Sequence, residues 1–216
     1  MGITPDSLQD YVARFARGDV QALNVLLEHY RPRLRRMVEF RLDPRLQGRI
    51  DASDVIQEGF LDAVRRAQEF ARGAATPFYL WLRFLVAQQV LAQHRRHLGT
   101  QGRAAAREIS LYRGAMPTAS TAALAAHLLA KLTTPSDALL RVERKLRLQE
   151  ALNAMDPVDC EILVLRHYEE LTNSEVAQVL GLDKSAASKR YTRALTRLKA
   201  ILTDRPGAGA DLEDHS

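Results

Sequence analysis

Apolar residues recur along this chain at helical spacing, and the alternation that marks strands is nearly absent, so the pattern predicts an all-α protein. Leu23, Leu26, Leu27, Tyr30, Leu34, Met37 and Val38 fall on one stripe of a long helix. Pro32 lies inside that stripe, where a missing amide hydrogen predicts a kink or a break. Residues 42–51 read as a loop, with Asp43 before Pro44 and Gly48 as turn residues. A second helix is predicted from Ser53 to Phe70, capped by Asp51 or Ser53 and burying Ile56, Phe60, Val64 and Ala67. After a loop at 71–76, Thr76 before Pro77 has the form of an N-cap followed by proline at the first helical position, and a third helix runs to about Leu98.

From Gly99 to about Asp137 small residues dominate, with Gly114, Pro117 and Pro135 interspersed, and this span reads as a linker. Within it, Ala122 to Leu132 has the composition of a short helix. Beyond Pro135, Ser136 can cap a helix carrying Leu139, Val142, Leu146, Leu148, Leu152 and Met155. Three more helical stretches fit before residue 203, and the polar, glycine-containing tail from 204 to 216 reads as frayed. The organisation expected is two small helical domains joined by a flexible linker: 1–103, linker 104–135, 136–203, then the tail.

The 216 residues are 46% hydrophobic, enough for real cores, and Lys and Arg outnumber Asp and Glu by 31 to 26. With a pI near 9.6 the chain suits a polyanionic partner. The single cysteine, Cys160, permits no intrachain disulfide; it reads as a core residue and fits a reducing cytoplasm. No run approaches bilayer length and no signal peptide is evident, so neither membrane insertion nor export is expected.

The sharpest local signal is LTNSEVAQVLGLDKSAASKRYTRALTRLKAIL, residues 171–202. Thr172 and Glu175 form a capping box, Gly181 supplies a left-handed turn, and Asp183 caps a longer helix. A short helix, a glycine turn and a long helix make a helix-turn-helix, whose second helix enters the major groove. On that helix Ala187, Tyr191, Ala194, Leu195, Leu198 and Leu202 form the buried stripe. Lys184, Ser185, Ser188, Lys189 and Thr192 face outward, flanked by Arg190, Arg193 and Arg197, and no acid occurs between Lys184 and Ala200. Residues near the helix start are placed to meet base edges and the later arginines to hold phosphates.

The N-terminal half carries two further constellations. Asp54, Gln57, Glu58 and Asp62 gather on the polar face of the second helix, an acidic patch suited to a basic protein partner. Residues 70–107 contain no Asp or Glu but hold six arginines and the rings of Phe78, Tyr79, Trp81 and Phe84. Interleaved cations and rings bind single-stranded nucleic acid by stacking, worth about 1–3 kcal/mol per base. Phe78, Trp81, Leu82 and Leu85 share one face and read as core. Tyr79, Arg83, Gln88, Gln89, His94, Arg95 and Arg96 are then the candidates for DNA. His94 and His97 have no third ligand nearby, so neither a metal nor any other cofactor is expected.

Together these segments resemble the extracytoplasmic-function group of bacterial sigma factors, which keep only regions 2 and 4 of the sigma-70 family. The resemblance spans roughly residues 15–103 and 136–202. DASDVIQEGFLDAVRR is close to the D-A-E-D-L-V-Q-E-x-F-L pattern with which family members grip the clamp helices of the polymerase β′ subunit. By position, Asp54, Gln57, Glu58 and Asp62 inherit that role. PFYLWLRFLVAQQVLAQHRR resembles the segment that captures the unwound −10 element, with Gln88 where the pattern has Asn and Ala92 where it has Asp. GLDKSAASKRYTRALTRL resembles the region 4 helix that reads the −35 element, departing from the frequent T-V-K-S-R form at Ala186, Ala187 and Ser188. The resemblance implies a cytoplasmic sigma factor that binds core RNA polymerase at the β′ clamp helices and the β flap, recognises the −35 and −10 elements and helps to melt promoter DNA. It implies no catalysis and no small-molecule substrate, and it allows an anti-sigma protein as a further partner. A repressor with a sensor domain has no use for the acidic face or the acid-free aromatic segment. A nuclease is not indicated either, since paired carboxylates near a His, metal-ligand spacing and a phosphate loop are all missing from the sequence.

Overall fold

The structure is a computed structural model that describes residues 5–73, 76–98, 121–132 and 138–203. Every regular element among them is helical, in agreement with the periodicity. The N-terminal half contains α1 (Pro5–Ala16), α2 (Val20–Arg41), α3 (Ala52–Arg65), α4 (Ala67–Arg72) and α5 (Phe78–Leu98). The C-terminal half contains α6 (Thr121–Leu132), α7 (Ala138–Asn153), α8 (Pro157–Leu163) running into a π turn (Val164–Tyr168), α9 (Asn173–Leu180) and α10 (Lys184–Thr203). The proposed cap at Ser136, the tail and most of the linker lie outside the described residues.

Helix starts follow local chemistry. Asp19 caps α2 by accepting from the amides of Gln21 and Ala22, Asp51 caps α3 through the Ser53 amide, and Asp156 caps α8 ahead of Pro157. Helix α5 begins at Phe78, one residue later than expected, with the Pro77 carbonyl accepting from the Trp81 amide at 3.1 Å. Pro32 neither breaks nor ends α2, which is continuous from Val20 to Arg41. Leu23, Leu26, Leu34, Met37 and Val38, on either side of the proline, are fully buried, and that packing outweighs one lost hydrogen bond.

The N-terminal core is aromatic. Phe15 of α1 contacts Phe70, Phe78 and Trp81 at centroid distances of 5.6–5.9 Å, and Phe70 lies 4.8 Å from Trp81. Helices α3 and α5 approach closely at Gly59, where a Cβ would sit 2.6 Å from Val86 Cγ2. The buried face of α3 is accordingly Ala52, Val55, Ile56, Gly59 and Ala63, whereas Phe60, Val64 and Ala67, expected at its centre, are half-buried at its flank.

In the C-terminal half, the apolar helix α6 packs on α7 and the π turn. Its Leu124, Ala125, Leu128 and Leu129 share a core with Leu148, Leu152, Met155, Leu163, Val164, Ala194 and Leu198. The helix expected inside the linker is thus part of the C-terminal body. Two residues expected in that core, Val142 and Leu146, are instead 61% and 55% exposed. Cys160 is half-buried and burial pushes its thiol up to about 11, consistent with an inert packing residue.

The halves, expected to stand apart on a tether, meet along a seam. Ile162, Leu165, Leu171 and Val176 join the N-terminal core, and Phe40 of α2 stacks on Tyr168 with ring centroids 3.9 Å apart.

Candidate nucleic-acid and partner interface

The helix-turn-helix is built from short-range hydrogen bonds. Glu175 N donates to Thr172 Oγ1 at 3.2 Å while Thr172 N donates to Glu175 Oε2 at 2.7 Å, completing the capping box. Gly181 adopts φ 62°, and the Leu182 and Gly181 amides return to Ala177 and Gln178 to close α9. Asp183 accepts from the Ala186 amide at 2.7 Å, and the Asn173 side chain donates to the Lys184 carbonyl, fixing the angle between the two helices. Ala177 and Ala187, both buried, let them approach.

Helix α10 turns Ala187, Ala194 and Leu198 inward and leaves Lys184, Ser185, Ser188, Lys189, Thr192, Arg193 and Arg197 exposed. Ser188, Lys189, Thr192, Arg193, Thr196 and Arg197 line one shallow groove along the helix. Arg190 differs from its neighbours: it points to α8, bonding Asp159 at 2.7 Å and Asp156 at 3.3 Å. Arg193 also reaches Asp159, at 3.0 Å, while two-thirds of its side chain stays in solvent, and Arg197 donates to the Ala154 carbonyl. Asp159 is nearly buried and carries no functional signal in the sequence; its position orients the basic edge of α10.

On α3, Asp54, Gln57 and Glu58 are exposed together. Asp62 is more enclosed, accepting from Gln89 Nε2 at 2.6 Å and from Arg65 at 3.3 Å. Leu61, 41% exposed, lies within the same polar face, where a search for charge alone passes over it. An exposed apolar side chain amid carboxylates adds area that a protein partner would remove from water.

The candidates on α5 separate into two groups. Arg95 and Arg96 are exposed at its C-terminal end, where the helix dipole favours cations, and Gln88 is half-buried. Gln89 is engaged with Asp62, and His94 Nε2 accepts from the Asp43 amide at 3.1 Å. Partial burial lowers the His94 pKa, so the ring is neutral and acts as that acceptor. Tyr79 and Arg83, expected to face DNA, are only 3% and 4% exposed. Arg83 is engaged by the C-terminal half, donating to Glu169 at 2.6 and 3.0 Å, whereas the Tyr79 ring is enclosed within its own half, with the Arg33 guanidinium 3.8 Å over it and the Tyr30 ring 5.1 Å away. Burial pushes the Tyr79 phenol up to about 12.

Among the described residues, no group of three or more His, Cys, Asp or Glu is placed to hold a metal, and no helix is long and apolar enough to cross a membrane.

Residues 26–99 match the family model of sigma-70 region 2, and residues 145–198 match that of sigma-70 region 4; together they cover more than half of the chain. Over 157 residues the chain is 29% identical to the probable RNA polymerase sigma factor RfaY of Xanthomonas campestris, covering 71% of this chain and 34% of that protein. It is 24% identical to the ECF RNA polymerase sigma factor BldN of Streptomyces coelicolor, covering 91% of this chain and 66% of BldN. It is 26% identical to the RNA polymerase sigma-H factor of Pseudomonas aeruginosa, covering 89% of this chain and 92% of that protein. The chain thus spans about a third of RfaY, two thirds of BldN and nearly all of sigma-H. With both regions matched in order, a capped helix-turn-helix in the second and an exposed acidic face in the first, the chain belongs to the extracytoplasmic-function group of the sigma-70 family.

Proposed function

We propose that this chain acts in the cytoplasm as a sigma subunit, binding core RNA polymerase and directing it to promoters by reading the −35 and −10 elements and helping to melt the DNA. The observation that carries the reading is the pairing, on one chain, of the exposed Asp54, Gln57 and Glu58 face with a helix-turn-helix whose outward surface is basic. In this reading region 2 occupies 1–103 and region 4 occupies 136–203, the span 104–135 joins them and contributes α6 to the C-terminal body, and 204–216 is a tail. The α3 face, with Asp62 at its edge, grips the β′ clamp helices, and region 4 meets the β flap. Lys184, Ser185, Ser188 and Lys189 approach −35 bases while Thr192, Arg193 and Arg197 hold phosphates.

Each module alone binds DNA weakly, because a few phosphate contacts give salt-sensitive and mainly nonspecific affinity. Docked on polymerase, the two are held at a set separation, so engagement of one raises the effective concentration of the other. In the −10 region, capture of an extruded base beside Gln88, with Arg95 and Arg96 exposed at the end of α5 to hold its phosphates, offsets the lost base pair. RNA synthesis belongs to the core enzyme, so the chain itself is non-catalytic and requires no cofactor. An anti-sigma protein fits the same scheme as a competitor for these surfaces.

The test is charge reversal of Asp54→Lys with Glu58→Lys. Both side chains are in solvent, so circular dichroism and melting should match wild type while binding to core polymerase is lost. Wild-type affinity for core would remove the assignment.

A further inference from the structure

Resting on that reading, we propose that Asp159 is a specificity-determining residue for the −35 element. It acts by position: it holds Arg193 in one orientation before DNA arrives, and the phosphate that Arg193 then meets sets the register at which α10 reads bases.

Arg190, Arg193 and Arg197 follow one another at i, i+3 and i+7 along one edge of α10, and each is tied to α8 or to the turn that precedes it. Arg190 Nη1 donates to Asp159 at 2.7 Å and to Asp156 at 3.3 Å, and Arg197 Nη2 donates to the Ala154 carbonyl at 3.1 Å. Arg193 sets its Nε and Nη2 edge against the Asp159 carboxylate, at 3.2 and 3.0 Å, while 64% of its side chain stays in solvent. The Asp159 side chain is only 7% exposed, and α8 seats Ile162 and Leu163 fully in the core, so the carboxylate is a fixed anchor. Nη1 of Arg193 remains for a second acceptor, at the groove that also holds Ser188, Lys189 and Thr192.

A carboxylate beside a duplex opposes it through charge, so general attraction for DNA does not account for this anchor. What the anchor supplies is order. A free arginine gives up rotameric freedom when it grips a phosphate, whereas one already seated on a carboxylate has given it up in the unbound chain. Phosphate contacts carry no sequence themselves, but they fix the orientation of a helix in the groove. That orientation has little tolerance here, because the exposed positions at the start of α10 include Ser185 and Ser188, whose short side chains extend little beyond the helix surface. A displacement of about 1 Å takes such a hydroxyl out of hydrogen-bond range.

The test is a ratio of two affinities of the full chain, read by fluorescence anisotropy at one salt concentration. One probe is a random-sequence duplex pool of about 20 base pairs, two helical turns. The other is the duplex recovered from that pool by repeated selection on the wild-type chain. Asp159→Asn preserves the shape of the side chain, but its single carbonyl oxygen cannot serve both arginines. It should lower the selected-to-random ratio at least about tenfold, with affinity for the random pool equal or higher because one negative charge near the phosphates is gone. Arg193→Lys keeps the cation but lacks the planar fork, so it should lower the ratio by a similar factor, and adding Asp159→Asn to it should change the ratio by less than about twofold. An unchanged ratio in Asp159→Asn, additive losses in the double variant, or an equal fall in both affinities such as a loosened fold produces, would overturn the proposal. So would a wild-type chain that enriches no sequence. A ratio that falls as expected, in a wild-type background that never initiates with core polymerase, would support the role of Asp159 in sequence readout and refute the sigma-factor reading.

Discussion

Replacing Glu169 by Ala removes the one carboxylate that serves both Arg41 and Arg83. Arg41 keeps Glu161, but Arg83 is deprived of both hydrogen bonds to Glu169 and becomes a buried cation facing a void. Breaking one side of a buried ion pair costs about 3–5 kcal/mol, and the surviving Arg41–Glu161 pair places the expected loss at the lower end, about 3 kcal/mol. The loss is bounded above by the free energy with which the halves close, because both guanidinium groups rehydrate once they part. Urea titration followed at Trp81, the only tryptophan and buried in the N-terminal core, together with far-ultraviolet circular dichroism, reads the change. Arg83→Met combined with Glu169→Leu should restore most of it, since an apolar pair of similar volume leaves no orphaned charge.

The pH dependence supplies a second check on the same residue. Burial alone would raise the Glu169 pKa, but the Arg83 and Arg41 guanidinium groups outweigh it and hold the carboxyl at about 2, below its ordinary value near 4.5. Its contribution is therefore complete above pH 4.5 and is lost as pH falls toward 2. The Glu169→Ala chain should show a shallower loss of stability across that window. A loss under about 1 kcal/mol at neutral pH, with an unaltered acid profile, would refute the reasoning that the seam is closed in solution.

Two further outcomes are expected. Gly59→Ala drives a methyl to 2.6 Å from Val86 Cγ2 and 3.0 Å from its Cα, so overpacking of about 1–3 kcal/mol should outweigh the roughly 1 kcal/mol gained in helix propensity. Thermal melting should fall by several degrees; an unchanged or higher midpoint would mean that α3 and α5 separate more easily than their close approach indicates. Arg193→Ala with Arg197→Ala should weaken binding to −35 DNA on every sequence and lower the slope of log affinity against log salt by about 2, one for each phosphate no longer neutralised. An unchanged slope would show that these cations do not meet phosphates.

What is legible in the sequence divides by the separation of the partners along it. The capping box at Thr172 and Glu175, the left-handed Gly181 and the caps at Asp51 and Asp183 are decided within a few residues, and each is present as expected. The short helix within the linker is visible for the same reason, as a run of helix formers between breakers. Helix α1 also has its signal, with Leu8, Tyr11, Val12 and Phe15 at helical spacing, although the expected elements begin only at α2. Pro32 misleads because intrinsic propensity is a weak prior beside a fully buried stripe. The roles of Tyr79, Arg83 and Arg190 are beyond local reading. Glu169 and Asp159 lie 86 and 31 residues away from Arg83 and Arg190, and an arginine bound for a carboxylate looks the same in sequence as one bound for a phosphate. Acidic residues of the C-terminal half are the missing signal, because a basic segment weighed only against an external polyanion hides its partners in the same chain.

Run-off transcription with purified core polymerase on a genomic promoter library tests the central claim most directly. A sigma subunit is expected to produce defined start sites whose upstream sequences share two elements at a set spacing, with activity lost in the Asp54→Lys and Glu58→Lys chain. Transcripts no different from those of core polymerase alone would contradict it.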